Sequence, residues 1–357
     1  MVDQFTGVAI QSNIPLARKR DEFRDNIKHV ERIIDNAYLT TSIELPTKLV
    51  VLPEASFQGF RDEFIDQDHL DYVQNMAVDI PGEETDILAQ KAKQLGIFLV
   101  ATAKARMKEF PDRFFNIAFI IDPSGNIIHK HTKNQVWVRE HSTTPHDVYD
   151  EWVKIFGDGL DAFFPVAHTE IGNIGTTICM EGSFPEPYRG LAVNGAEIIT
   201  RVAYPEPWVS QGQWEIQNRA RALDNQCYMV CANHGTMLRR GDAMQPIGGG
   251  NGGNSMIIDY RGQILSQTIH GTETFTAGII NVDALRDHRR RAKFMNFIPY
   301  LKTEIYQSIY KQQIWPKNLG IGKPPGNHAE VDMIFDKIVE DLQRRGTFTS
   351  KADTGQE

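Results

Sequence analysis

Strand-like runs alternate with helix-like stretches along most of this chain, and three tight hairpins interrupt the alternation. Continuous apolar runs at 5–11, 48–52, 97–105, 197–201, 227–233 and 276–282 read as strands, bounded by turn residues. Amphipathic stretches at 18–38, 81–95, 185–194 and 210–225 read as the helices between them. Hairpins are expected at 114–131 about Pro123-Ser124-Gly125-Asn126, at 163–179 about Gly172-Asn173, and at 254–269 about Arg261-Gly262. Parallel strands need long crossovers, whereas a hairpin makes an antiparallel pair. A purely parallel sheet is therefore excluded, and a mixed sheet or two sheets covered by helices is expected. Helices at 283–310 and 331–345 extend the chain, and a polar tail from about 347 is expected to be disordered. Segment 134–161 is irregular, rich in aromatic residues and histidine, and long for a connection, as lids and binding loops are.

Composition narrows the function classes. A net charge of −8 argues against a general nucleic-acid binder. The one basic run, from Arg286 to Lys293, reads as a solvated or subunit-facing helix rather than a nucleic-acid patch. Three cysteines in 357 residues argue against a disulfide scaffold and for a reducing compartment. The first residues lack a charged-then-apolar signal pattern, and no apolar run reaches the roughly 18 residues of a membrane span. The expectation is a cytoplasmic protein without membrane partners.

Three segments share one grammar, an apolar strand that ends on a reactive side chain. They deliver Glu54, Lys133 and Cys179. The Cys179 segment turns at Gly182-Ser183 into a helix start at Phe184-Pro185-Glu186, a place with unpaired N–H groups and a favourable dipole for negative charge. A carboxylate within reach can take a thiol proton. An ammonium lowers the thiol pKa and stabilises an oxyanion formed at an attacked carbonyl. Taken singly, each has a plainer reading: a buried cysteine, a strand-end carboxylate, a surface lysine.

Leu52-Pro53-Glu54-Ala55-Ser56-Phe57-Gln58-Gly59-Phe60 resembles the first signature of the carbon–nitrogen hydrolase (nitrilase) superfamily. Gly125 to Lys133 resembles the second, and Ile178 to Glu186 with Asn194 to Ile199 the third, in the right order over about residues 5–312. The resemblance implies an α/β fold, a four-layer αββα sandwich, spanning 1–312, with a C-terminal extension at 313–357. It implies Glu54 as base, Lys133 as oxyanion-stabilising lysine, Cys179 as nucleophile, and the Met180 N–H as a second oxyanion donor. Glu140 is the candidate for a second active-site glutamate, with a plain loop carboxylate as the alternative. It further implies a small linear amide as substrate, no metal or other cofactor, and a homodimer or larger assembly paired through 185–194 and 283–310. A nitrilase or N-carbamoyl amidohydrolase on the same triad is the alternative, and a non-catalytic binding protein the alternative of another class. Ala55, where formamidases and aliphatic amidases usually have tyrosine, implies a roomier pocket. His131-Thr132 replaces the usual Tyr-Arg, and Met180 stands where nitrilases tend to have tryptophan.

Other residues have weaker claims. Trp137, Tyr204, Trp208 and His234 follow active-site strands and are candidate substrate walls, with core or interface packing as the alternative; Met180 is a candidate substrate-binding residue, and Glu181 is either a substrate-facing polar group or a helix-start carboxylate. His141 and His146 are too loosely placed for a role. Cys227 and Cys231 lie on one face of a strand, and buried packing explains them better than a metal. Gly248 to Gly253 reads as a flexible loop, since no Gly-Lys-Ser/Thr follows.

Overall fold

The computed structural model describes residues 2–204, 206, 211–239, 245–269, 271–323 and 326–349. The first half contains β1 (Phe5–Gln11), β2 (Pro15–Leu16), α1 (Phe23–Thr41), β3 (Thr47–Val51), α2 (Arg61–Phe64), α3 (His69–Asn75), α4 (Glu83–Leu95), β4 (Phe98–Met107), β5 (Phe110–Ile121) and β6 (Ile127–Thr132). Next come α5 (Tyr149–Phe156), α6 (Leu160–Phe163), β7 (Val166–Thr169), β8 (Gly172–Ile178), α7 (Pro185–Val193), β9 (Ile198–Ala203), α8 (Gln213–Asn225) and β10 (Tyr228–Asn233). The remainder is β11 (Thr236–Arg239), β12 (Gln245–Asn251), β13 (Met256–Ile258), β14 (Ile264–Gln267), β15 (Thr274–Ile280), α9 (Val282–Arg291), α10 (Thr303–Tyr306) and α11 (His328–Arg344).

Two six-stranded mixed sheets form, in the orders β15-β1-β3-β4-β5-β6 and β14-β13-β10-β9-β8-β7. Each has three parallel strands at its centre, β1-β3-β4 and β8-β9-β10, with antiparallel strands outside them. The central strands are buried along nearly their whole length, because both their faces are covered. One face of the first sheet meets the second, where Ala9, Val51, Val100 and Ile120 pack with Ile178, Val202, Val230 and Ile257. The outer face of the first sheet takes the stripe Phe23, Ile27, Val30 and Ile34 of α1. The outer face of the second sheet takes Leu191 of α7 and Trp214 and Ala222 of α8. Helix, sheet, sheet, helix is the four-layer order expected.

Three expectations are corrected. Segment 134–161 is not irregular throughout: α5 and the start of α6 lie within it, and Trp152 is buried against Phe110 and Phe115. Segment 283–310 is not one helix. Asn296 donates to the Arg289 carbonyl at 2.6 Å and closes α9, and Pro299, lacking an N–H, sits in a separate short turn. Gly248 to Asn251 is not loop but the end of β12, which pairs with β11 in a small third sheet that also takes in β2. Glycine carries no side-chain signal for a strand, so only the partner strand reveals it. The basic run divides: Arg286 reaches Glu197 at 2.6 Å and Arg289 the Ala196 and Gln226 carbonyls at 2.8 Å, while Arg290 and Arg291 stay exposed and pair with Asp287 on their own helix.

Candidate active site

In the first sheet β6 runs parallel to β3 and β4, two antiparallel steps away, so Glu54 and Lys133 leave from the same sheet end. Strand carboxyl ends are where open α/β sheets bind ligands. Lys133 Nζ lies 2.8 Å from Glu54 Oε1 and 2.6 Å from Glu140 Oε2. Asn116, from β5, donates its Nδ2 both to Glu54 Oε1 at 2.8 Å and to Glu140 Oε1 at 2.9 Å. Ser142 Oγ also donates to Glu140 Oε1. All five are buried. Glu54 Oε2 is the oxygen of the pair that has no hydrogen-bond partner.

Two carboxylates share one lysine, and their environments part them. Burial pushes Glu54 up to about 7; Lys133 pulls it back, while the Glu140 charge adds to the rise. Burial works against the Glu140 charge too, but Lys133 and then Lys104 prevail and hold that carboxyl well below the usual range. Lys104 is itself buried in a tight pair with Asp62. Burial also opposes the Lys133 charge, yet Glu140, Glu54 and the Cys179 sulfur together hold its ammonium well above the ordinary lysine range. One carboxylate is thus poised near neutrality and the other stays ionised, a separation typical of acid–base sites.

Cys179 sits half-buried on a turn in an unusual backbone conformation, with φ +44°. Left-handed φ in a non-glycine residue is strained and is held by its surroundings. Here the surroundings are specific. Glu181 accepts from the Ile178 N–H at 2.8 Å and the Asn134 N–H at 2.9 Å, and His131 Nε2 lies 2.9 Å from its Oε2. Arg201, fully buried, donates to the Cys179 carbonyl at 3.2 Å and to Asn218 Oδ1 at 2.9 Å, and its guanidinium lies 4.4 Å from the Trp214 ring centroid. A Cβ on Gly182 would lie 1.9 Å from Arg201 Cζ, so only glycine lets the arginine pass beneath the turn.

A model of the carbon-nitrogen hydrolase family matches residues 9–290. The chain belongs to that family. This carbon-nitrogen hydrolase is 29% identical over 241 residues to a formamidase of Bacillus cereus, a match covering 65% of this chain and 63% of the relative. The match to that relative spans less than two thirds of its length. Among solved structures, a carbon-nitrogen hydrolase of Helicobacter pylori superposes with a TM-score of 0.67 at 18% identity, covering 87% of this chain and 99% of that one. An amidase of Nesterenkonia sp. gives 0.58 at 17% identity, covering 85% and 96%. At those identities the likeness is one of fold.

The other residues singled out in this hydrolase fall in different places. Glu140 joins Glu54 and Lys133 directly, and Met180 is half-buried beside Cys179. Of the two readings of Glu181, the structure has the carboxylate that serves the turn: it is fully buried and both its oxygens are engaged by the chain itself. Tyr204 is buried on Phe60 and His234, with ring centroids 4.7 and 4.5 Å away, and forms an apolar cluster with Ala55 and Phe60 near Lys133. His234 is fully buried, its ring nitrogens 2.9 Å from the carbonyls of Ser12 and Glu54, so it props the base from behind. Trp137 is 44% exposed, on the loop before Glu140. Trp208 lies outside the described residues. Cys227 and Cys231 pack between sheet and helix, and burial pushes them up to about 11 and about 12.

Sequence reasoning missed Asn116, Ser142, and the bracing roles of His131 and Arg201. Asn116 carried a signal, a lone amide inside the apolar run 114–121.

Proposed function

We propose that this chain hydrolyses a small linear amide to the acid and ammonia or an amine, through a thioester on Cys179. Glu54 takes the Cys179 proton as the sulfur attacks the amide carbon. The oxyanion forms against the Lys133 ammonium and the Met180 N–H. Glu54 then returns its proton to the leaving nitrogen, the C–N bond breaks, and a thioester remains. Water, deprotonated by Glu54, attacks that thioester; collapse restores the thiol and frees the acid. Glu140 stays ionised throughout and keeps Lys133 charged and in place. A reducing cytoplasm would keep the thiol competent.

The observation that supports this reading most is the pair of carboxylates on one buried lysine beside the Cys179 turn, with Glu54 poised near neutrality. The likeness to formamidases supports the amide reading over the nitrile one. The test is ammonia release from amides graded by chain length, with the matching nitriles in parallel, for the parent and for Cys179→Ala. Turnover of amides longer than formamide, lost in Cys179→Ala, is expected, because Ala55 leaves room. Nitriles turned over in preference would favour the nitrilase reading. No turnover, with Cys179 alkylated no faster than a simple thiol, would sink the enzyme reading altogether.

A further inference from the structure

Asp66, His141 and His328 come from three distant segments: the link between α2 and α3, the loop just after Glu140, and the first residue of α11. Their ligand atoms all lie within 4.8 Å of one another. His141 Nε2 is 3.2 Å and His328 Nδ1 4.0 Å from the same oxygen, Asp66 Oδ1.

Hydrogen bonds fix the tautomers. His141 Nδ1 lies 3.1 Å from the Gln67 carbonyl, and His328 Nε2 lies 3.1 Å from the Arg139 carbonyl. A carbonyl only accepts, so each of those nitrogens carries the ring proton. In neutral rings the opposite nitrogens are bare lone pairs, and both face one carboxylate oxygen. His141 is only 4% exposed, and its Nε2 is buried without a hydrogen-bond partner among the described residues. The same Asp66 oxygen also accepts the His328 backbone N–H at 3.2 Å. Two imidazole lone pairs and a carboxylate oxygen turned on one another repel unless a proton or a metal cation lies among them. A ring N–H committed to a backbone carbonyl, with the other nitrogen presented, is how metal-binding histidines are held.

We propose that Asp66, His141 and His328 bind one divalent transition-metal ion of the zinc class. Two imidazole nitrogens and a carboxylate oxygen suit such ions over magnesium or calcium. Tetrahedral bonds of about 2.0–2.2 Å set ligand atoms about 3.3 Å apart. The His141–Asp66 edge is already near that spacing, and the His328–Asp66 edge closes by about 0.7 Å. Asp66 is 45% exposed on its side chain, which leaves a path for the ion and a fourth position for water. The two His rings meet edge to face at 4.6 Å, so their edges converge. No ligand pair in the sequence has zinc spacing, because each ligand comes from its own segment.

The ion has no part in the thioester chemistry. It ties α11, which buries none of its residues, to the loop that carries Glu140. The same segments are also held by the His141 N–H on Asp62 at 3.2 Å, the His328 N–H on Asp66 Oδ1 at 3.2 Å and the Arg139–Asp332 pair at 3.0 Å.

The test uses the full chain, stripped with EDTA and dialysed, titrated with Zn²⁺ by calorimetry and with Co²⁺ by visible absorption. Parent, His328→Gln and Asp66→Asn are compared, with circular dichroism to show that all three are folded. Zinc held by the Cys179 thiol is common to the three chains, so the difference is read. The parent is expected to bind one more ion per chain than either variant, with the visible bands of four-coordinate cobalt, and each variant to weaken that site by at least about a hundredfold. Equal stoichiometry and affinity in parent and variants would overturn the proposal. So would a parent that takes up no ion at millimolar Zn²⁺.

Discussion

Glu54 has one oxygen committed to Asn116 and Lys133 and one oxygen buried without a hydrogen-bond partner. A base needs such a lone pair, and the working form is the carboxylate. Because Glu54 is pushed up to about 7, kcat/KM should rise as pH passes upward through that value and level off above it. A profile flat from acid to neutral pH would contradict the assignment. Glu54→Gln keeps the shape and loses the proton acceptor, so turnover should fall by about 10²–10⁴-fold with the circular dichroism unchanged. Asn116→Ala tests a positioning role. Its hydrogen bond lowers the Glu54 pKa, so its loss should shift the acid limb to higher pH as well as reduce kcat, by about tenfold. A drop in kcat with no shift of the limb would reduce Asn116 to packing. Glu54, Lys133 and Cys179 were legible because each closes a strand inside a segment that resembles one of the family's signatures. Arg201 was not, since its partners Asn218, Trp214 and the Cys179 carbonyl meet it only in three dimensions.

At the scale of elements, the turn from β8 into α7 is the most tightly specified piece of the chain. Its strain at Cys179, the Glu181 brace and the Arg201 strut depend on one another. Gly182→Ala forces a methyl group onto the guanidinium and should destabilise the protein by about 1–3 kcal/mol, read as a lowered urea midpoint. An unchanged midpoint would mean that the turn relaxes freely. The strands and hairpins of the two large sheets were legible in the sequence because they rest on local signals, apolar runs bounded by Gly, Pro and Asn, whereas β2, β11 and β12 of the small sheet were not. The short helices α2 and α3 were missed, being too brief to show a period. The break after α9 was missed because it depends on Asn296 reaching back to Arg289.

Over the whole molecule, the surface carries an unusual band of exposed apolar side chains after α9. Phe294 is 88% exposed, and Ile305, Ile309 and Tyr310 are each more than 60% exposed. Val193 of α7 is also exposed, and Tyr310 reaches Glu186 of that helix at 2.7 Å, so the two regions adjoin. A band of this kind is usually covered. Light scattering is expected to give a dimer or larger species, shifted towards monomer by Phe294→Asp with Ile309→Asp; a parent that is monomeric at micromolar concentration would refute this. The site itself is divided between the two sheets. Glu54, Asn116, Lys133 and Glu140 ride on the first and its loops, Cys179 and Arg201 on the second. On the proposed mechanism, a chain still emerging from synthesis therefore holds an ordinary cysteine, with a pKa of about 8.5 and no base beside it. The thiol is armed only when the two sheets close on each other. Until then the most vulnerable atom in the protein is no more open to oxidants and stray electrophiles than any other sulfur.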